Sequence, residues 1–441
     1  MGTTSGLNSI ARNGFSPDFA IGTSFHVSNC AALSKHPRTE VRATCSARLF
    51  RLNFHVMAAI RQLLHKSGQE VLKAFAIAIR ARDWYSRQRP EGQLLGKHRS
   101  QFYSAVWREA AAEVGANVEL LHDDVFEIRL GRALTRTRQT ATAADDPVTL
   151  DVAANKPLVY RLLSKRGLRI PNYCEFTLGS IGQAIAYTKQ FAGEWVVKPA
   201  NGAAGRGATT GVLTAFDLVR AAIAAAAYDS NLLVEQQAQG DVYRLLYLNG
   251  KLLDAVQRSS PSVLADGRSS IRKLIQLENQ ARLKSGPLGG QTLIRRDLDL
   301  HRTLAKQGLS LCSVPKRGTV VTLKTVINEN SAADNVSATG KLCHSIIEDG
   351  AAAADAIGVR LAGVDVITRD PRVPLEQSGG IILEVNTTPG YHYHYHRRDR
   401  GIAVAIPILS SLLLQATEKL GSSGEPGGAK PPDAVIYRAT P

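Results

Sequence analysis

Trp195-Val196-Val197-Lys198-Pro199, followed by Asn201-Gly202-Ala203-Ala204-Gly205-Arg206-Gly207-Ala208-Thr209-Thr210-Gly211, is the stretch on which the reading of this chain turns. A short apolar strand ends in a lysine and runs into a loop with four glycines. Such a loop lets backbone N–H groups close on a phosphate without obstruction from side chains. Lys198 adds a point charge at the same place. By itself a glycine-rich loop is equally consistent with a flexible surface connection. Its spacing matches neither GxxxxGK[ST] nor the GxGxxG of a dinucleotide turn, which argues against a P-loop or NAD enzyme.

Outward from that loop the hydrophobic pattern gives a dense series of elements. Lys156–Gly167 reads as a helix closed by glycine, and Ser180 starts another, with Gln183 at capping-box spacing. Thr214–Tyr228 is an alanine-rich helix and Leu232–Gln236 a buried strand. Val242–Leu248 and Lys251–Val256 flank Asn249-Gly250, a strong hairpin signal. Ser270–Arg282 and Ile346–Gly358 read as helices, Leu361–Ile367 and Ile381–Asn386 as strands, and Ile402–Leu420 as a closing amphipathic helix. Upstream, Glu70–Ala81 and Gln101–Gly115 are helical. Asn117–Leu121 and Val125–Leu130 are strands around a His122-Asp123-Asp124 turn, and Thr135–Pro147 is a linker. Hairpins mixed with helices make the class α+β, not a doubly wound parallel sheet.

Two further groups of residues bear on chemistry. Asp365 sits in Gly363-Val364-Asp365-Val366, and Glu384 and Asn386 in Leu383-Glu384-Val385-Asn386. Residues two apart on a strand share a face, so Glu384 and Asn386 point the same way. An acid on each of two short apolar strands is costly to bury unless positive charge compensates it. Three hard oxygen donors suit Mg²⁺, which keeps water and phosphate oxygens as its other ligands. Acids at strand ends facing water would give the same pattern. The second group is Leu233–Arg244, a buried strand passing through a polar bend into the hairpin, which in isolation says little.

With 441 residues, 44% hydrophobic and 21% charged, the composition is ordinary for a globular chain and excludes disorder throughout. No apolar run reaches the ~18–20 residues that a membrane-spanning helix needs. Five scattered cysteines without a CxxC pair argue against a disulfide framework or zinc ribbon and fit a reducing, cytoplasmic compartment. A net charge of +16 raises nucleic acid or another polyanion as a partner. Much of that excess lies before residue 70, where Arg12, Lys35, Arg38, Arg42, Arg48, Arg51, Arg61 and Lys66 face only Asp18 and Glu40. Nucleic acid is therefore not the expected partner of the body of the chain. Residues 1–69 read as a basic, disordered arm; a transit peptide, or a start over-extended ahead of Met57, are the other readings. The Gly/Ser/Pro-rich tail, 421–441, is expected to be disordered.

From about Asn155 to Leu414, the order and spacing of these pieces resemble the ATP-grasp ligase superfamily. The ATP-grasp portion of cyanophycin synthetases and glutathione-synthetase-like enzymes looks most similar. Asn155-Lys156-Pro157-Leu158 resembles the start of the helix with a nucleotide-contacting lysine. Trp195–Pro199 and its glycine loop resemble the phosphate grasp. Val234-Glu235, with Gln236, resembles the hinge along which adenine lies, and Asp241 the ribose-binding acid. Arg244 through Arg258 looks like the family's hairpin, and Asp365, Glu384 and Asn386, before Thr387-Thr388-Pro389-Gly390, like its metal-binding end. The family's N-x-S-x-G-G stretch is not kept, since Asn328-Glu329-Asn330-Ser331-Ala332-Ala333 lacks both glycines. No Mur-ligase-like half is legible in these residues, so cyanophycin synthesis itself does not follow.

The resemblance implies two α+β subdomains clasping ATP over 151–420, the lid subdomain at about 156–235, with a small α/β unit at 70–150 before them. It implies ATP and two Mg²⁺ (or Mn²⁺) as cofactors and an amino acid or peptide as substrate, with no membrane and with a homo-oligomer allowed. Lys156, Lys198, Gly202, Gly205, Arg206 and Gly207 would meet the phosphates, and Glu235, Gln236 and Asp241 the nucleoside. Asp365, Glu384 and Asn386 would hold metal, with Glu384 bridging. Arg258 and Arg244 would grip the substrate carboxylate or the transferred phosphoryl group as catalytic residues, or else pair with acids on the hairpin surface. The implied reaction is carboxylate–amine ligation through an acylphosphate. A phosphotransferase, and a basic polyanion-binding protein with a vestigial ATP site, are the alternatives. The loop Gly202–Gly211 is expected to be a lid that orders on ATP. The run Tyr391-His392-Tyr393-His394-Tyr395-His396, if extended, puts three histidines on one face. It reads as a zinc site, a substrate contact or a partly exposed aromatic segment.

Overall fold

The computed structural model describes residues 66–422 apart from 289–291, 332–333, 397 and 400. The expected arm through residue 65, Met57 included, and the tail beyond residue 422 lie outside the described residues. The end of that arm is already helical, because α1 spans Lys66–Gln88. Pro90 takes the first position of α2 (Pro90–Glu113), where its missing N–H costs nothing. Helix α2 buries Phe102, Tyr103, Val106, Trp107 and Ala110, a stripe at helical spacing.

Strands β1 (Asn117–His122), β2 (Val125–Leu130) and β3 (Ala133–Arg138) form an antiparallel meander. The first four residues of the expected linker, 135–138, are therefore strand. Ala133, Thr135 and Thr137 alternate inward, and threonines on the inner face hide the apolar period that would have announced it. This segment is antiparallel α+β rather than α/β. Its apolar residues share one core with Leu246, Leu361 and the run from Val404 to Leu413.

Helix α3 (Pro147–Ala154), capped by Asp146, leads into α4 (Lys156–Lys165), capped by Asn155. After β4 (Tyr173–Phe176), α5 spans Ile181–Thr188. The capping box sits one turn earlier than expected, between Thr177 and Ser180, and Ser180 spends its hydroxyl there instead of capping α5. Strands β5 (Trp195–Pro199) and β6 (Thr209–Val212), helix α6 (Ala215–Ala226) and strand β7 (Leu232–Gln236) complete an antiparallel sheet in the order β4-β7-β5-β6.

Strands β8 (Asp241–Leu248) and β9 (Lys251–Arg258) form the expected hairpin. Asn249 and Gly250 both take positive φ, as a tight two-residue turn requires. An insertion follows with β10 (Ser262–Leu264), α7 (Ile271–Lys284), α8 (Leu298–Lys306) and β11 (Val320–Thr322), built on its own core of Ile271, Leu274, Leu300, Leu304 and Val321. Then come β12 (Val336–Ser337), α9 (His344–Ile357), β13 (Leu361–Thr368), α10 (Leu375–Ser378), β14 (Ile381–Asn386), α11 (His392–Tyr395) and α12 (Ala405–Ser422). The five-stranded sheet has the order β12-β9-β8-β13-β14, antiparallel throughout. One face carries Leu245, Ala255, Val364 and Val366 into a core with α9. At one end of the other face, Leu246 and Leu361 pack into the core shared with α2 and α12. The rest of that face is left for the site. Among the described residues no helix is long and apolar enough to cross a membrane.

Trp107 is fully buried, donates from Nε1 to the Gln139 carbonyl at 2.8 Å, and meets Tyr391 edge-on. Trp107→Ala should cost about 3–5 kcal/mol. Because the core is shared, urea should still unfold residues 66–422 in one transition at a lower midpoint. Two separate transitions would show that the meander and the large sheet do not stand on one core.

Candidate active site

Strand register sets the floor of the site. Asp365 on β13 lies opposite Glu384 on β14 and Arg244 on β8, and Arg244 lies opposite Val256, two residues before Arg258. Alternation along each strand then points Asp365, Glu384, Asn386, Arg244 and Arg258 from one face. The four-stranded sheet faces them, and between the two opens a cleft of about 430 Å³. It is lined by Lys156, Lys198, Gly202, Gly205, Arg206, Glu235, Gln236, Asp241, Arg258, Asp365 and Glu384. Of the expected site residues, Gly207, Arg244 and Asn386 do not line it.

Lys156 starts α4, where the Asn155 side chain accepts from the Leu158 N–H and fixes the helix entry. Its Nζ donates to the Gly202 carbonyl at 2.7 Å and lies 3.5 Å from Glu384 Oε1. Burial pulls its pKa below the ordinary lysine value, and Glu384 pushes back. Lys198 Nζ lies 2.8 Å from Glu235 Oε1 and 3.1 Å from the Tyr160 hydroxyl. That hydroxyl is 2.7 Å from Glu235 Oε2, to which it donates, and 2.9 Å from the Leu383 carbonyl. Burial first, and Glu235 second, hold the phenol well above its ordinary pKa. The Glu235 side chain is thus engaged in placing Lys198. Tyr160 escaped the sequence reading, although it stands four residues after Lys156 on the same helix face, which is the one signal that could have found it.

On the floor, Arg244 grips Asp365 with two bonds, Nε to Oδ1 at 2.5 Å and Nη2 to Oδ2 at 2.7 Å, both groups buried. Burial alone would lower the pKa of this arginine; Asp365 overcomes it and holds the group above its ordinary value. Arg244 therefore faces Asp365, in the interior and not on the hairpin surface. Asn386 Nδ2 lies 3.2 Å from the Gly363 carbonyl and 3.4 Å from Asp365 Oδ2. Among the described residues no group of three or more His, Cys, Asp or Glu is placed to hold a metal alone. The donors here are two carboxylates and an amide, and Asp365 Oδ1 keeps a lone pair beyond its bond to Arg244. That set fits a hard divalent cation completing its shell with phosphate and water oxygens.

Arg258 is also buried, its Nη atoms 3.3 Å from Asn328 Oδ1 and the Ile327 carbonyl, its guanidinium 4.2 Å from the Tyr393 ring centroid. Its Nε–H is buried and has no hydrogen-bond partner among the described residues. The glycine loop is seated on the same segment. Gly205 has φ +63°, and a Cβ there would stand 2.6 Å from Val326 Cγ1 and 2.8 Å from Asn328 Nδ2. Arg206 is half-buried at the rim, its pKa lowered by that burial and then by Arg87. At the hinge, Gln236 donates to the Ala192 carbonyl, and Asp241 accepts from Gln257, both at 2.9 Å.

The Tyr/His run forms the short helix α11, not an extended strand, so its histidines do not share one face. Tyr391 packs edge-on against Tyr103 and Trp107, and His394 Nδ1 lies 2.7 Å from Asp254 Oδ2 with both groups fully buried. These anchors, rather than alternation, decide the local conformation. The segment contributes to the site through Tyr393 beneath Arg258.

The cleft lies between two antiparallel sheets, with Lys198 and a glycine loop on one wall and carboxylates on the other, the arrangement that the resemblance to ATP-grasp ligases implies. By sequence the chain is a homologue of ATP-grasp ligases. It is 30% identical over 273 residues to cyanophycin synthetase of Trichormus variabilis, covering 60% of this chain and 30% of that protein. It is 27% identical over 293 residues to the glutathione biosynthesis bifunctional protein GshAB of Mannheimia succiniciproducens, covering 63% and 38%. A solved bifunctional glutathione synthetase from Pasteurella multocida aligns with TM-score 0.44 and 24% identity over 68% of this chain and 42% of that one. No family model matches. The chain spans 30% to 38% of the length of these two curated relatives.

Tyr160→Phe should destabilise the protein by about 1–3 kcal/mol, because it strips a donor from a buried carboxylate. Urea unfolding reads this directly. Unchanged stability would mean that Lys198 alone satisfies Glu235.

Proposed function

We propose that this chain is an ATP-dependent carboxylate–amine ligase acting on an amino acid or peptide. The observation that carries the reading is the meeting of Lys156, Lys198 and Arg258 with Asp365 and Glu384 across one cleft. The names of the sequence relatives, a cyanophycin synthetase and a glutathione biosynthesis protein, support an amino-acid or peptide substrate. In this reading residues 151–420 form the ATP-grasp domain with a lid at about 156–235, and the protein works in the cytoplasm.

Adenosine lies along Glu235–Asp241, and the triphosphate runs toward Lys156 and Lys198. Asp365, Glu384 and Asn386 would hold Mg²⁺, which when bound neutralises triphosphate charge. Arg244 holds Asp365 by two bonds and fixes its aim. The substrate carboxylate attacks the γ-phosphorus, the bond to ADP breaks, and an acylphosphate forms. Arg258, with its spare N–H, holds the transferred group as charge builds on its oxygens. The glycine loop covers the phosphates and keeps water from the acylphosphate. An amine then attacks the acyl carbon, orthophosphate leaves and an amide remains.

The test is ADP release over a matrix of amino-acid and dipeptide pairs. A ligase needs both carboxylate and amine for sustained turnover. Release with one partner alone would make it a phosphotransferase, and absence of ATP binding would leave a basic binding protein. Glu384→Gln should abolish turnover with the fold intact, as seen by circular dichroism; near-normal activity would remove the metal assignment. Mg-ATP should protect Arg206 from trypsin. Gly205→Val, which pushes the loop off Val326 and Asn328, should lower turnover at least tenfold. Cleavage at Arg206 at equal rates with and without Mg-ATP would reduce the loop to a connector.

A further inference from the structure

Asp299 lies in the first turn of α8, in the insertion between β10 and β11, and is 1% exposed. It does not line the cleft. Among the described residues no cation pairs with it, and all four of its bonds come from backbone N–H groups or a hydroxyl. Oδ1 accepts from the Thr210 N–H at 3.0 Å and the Thr210 hydroxyl at 2.7 Å. Oδ2 accepts from the N–H groups of Thr325 at 3.2 Å and Val326 at 3.1 Å. A buried carboxylate without a counter-charge is tolerated only because such donors replace its water.

The donors belong to two different parts of the site. Thr210 sits on β6, directly after the glycine loop. Thr325 and Val326 lead into Ile327 and Asn328, whose oxygens accept from Arg258. Val326 and Asn328 are also the atoms against which Gly205 closes. The helix bearing Asp299 is itself fixed. Leu300 and Leu304 enter the insertion's core. Arg302 bonds the carbonyls of Thr210 and Gly211 and pairs with Asp217, and Lys306 pairs with Glu194. Thr210 is thus held from both its N–H and its C=O by one helix.

We propose that Asp299 is a positioning residue for phosphoryl transfer, setting the glycine loop and Arg258 at a fixed separation through one carboxylate. The inference rests on the ATP reading above. A misplacement of about 1 Å at a reacting centre costs on the order of a hundredfold in rate. An amide offers a single acceptor oxygen, so asparagine can serve Thr210 or the Thr325–Val326 pair, but not both.

The experiment compares wild type with Asp299→Asn in the full chain, using Mg-ATP and the substrate pair that supports ADP release. The asparagine variant should lose at least tenfold in kcat while KM for ATP moves less than threefold. Its loss should combine less than multiplicatively with that of Arg258→Lys, because both act on the same group. Thr210→Val, which removes only the hydroxyl bond, should lose two- to fivefold in kcat and covers the case in which Asp299→Asn folds poorly. A folded asparagine variant within twofold of wild type, or losses that multiply independently, would overturn the inference. Amide exchange without nucleotide reads the tie separately: Thr210, Thr325 and Val326 should be protected in wild type and at least tenfold less so in Asp299→Asn. Unchanged protection overturns the tie, whereas a wild type that binds no Mg-ATP overturns the ligase reading instead.

Discussion

Everything at this site depends on one acidic side chain, Asp365, being buried in the middle of a sheet whose other face is apolar. Val364 and Val366 on the same strand enter the core beneath α9, so the carboxylate stands one residue away from fully dry surroundings. Removing it from water costs several kcal/mol unless a partner with matching geometry compensates. Arg244 does so from the neighbouring strand, at the position directly opposite in the β8–β13 pairing. The opposite wall solves the same problem with Lys198, Glu235 and Tyr160. With those groups paired to each other, no carboxylate among the described residues bonds Arg258, and Lys156 has Glu384 only at 3.5 Å. The uncompensated charge is positive and faces inward, which suits a polyanion carrying its own cation.

The parts of this arrangement that depend on local chemistry were legible in the sequence. Asn249-Gly250 dictates the turn, and the turn dictates the β8–β9 register that sets Arg244 and Arg258 on one face. Alternation on β14 likewise put Glu384 and Asn386 on one face. Threonine-lined β3 and the short helix α8 were not legible, because their inner faces mix hydroxyls and acids with few large apolar residues. The contribution of Tyr160 was hidden for a different reason: its partners lie 75 and 223 positions away in sequence. The Tyr/His run misled because strict alternation suggests a strand, whereas burial of Tyr391 and the His394–Asp254 bond favour a helical turn. Local periodicity loses wherever a few long-range anchors are strong.

The ties between the two walls differ in kind from the cores within them. The lid wall has Trp195, Leu218 and Leu232 inside it, the floor has its own apolar layer against α9, and the insertion has a third core. Helix α4 packs into the floor's core through Val159 and Leu163, and the ties from the floor and the insertion to the four-stranded sheet are polar: Lys156 to the Gly202 carbonyl, Tyr160 to Glu235, and Asp299 between Thr210 and Val326. A hydrogen bond that can be exchanged for one to water is worth only about 1 kcal/mol net, far less than an apolar core. Separation of the walls can therefore break a few such bonds and leave each core whole. Asp299 is the exception among the three, because its carboxylate is 1% exposed and loses four donors without gaining water unless α8 moves as well. Its side of the cleft should consequently stay closed while the Lys156 side gives way, so that opening is a rotation about the insertion and not a separation of two halves.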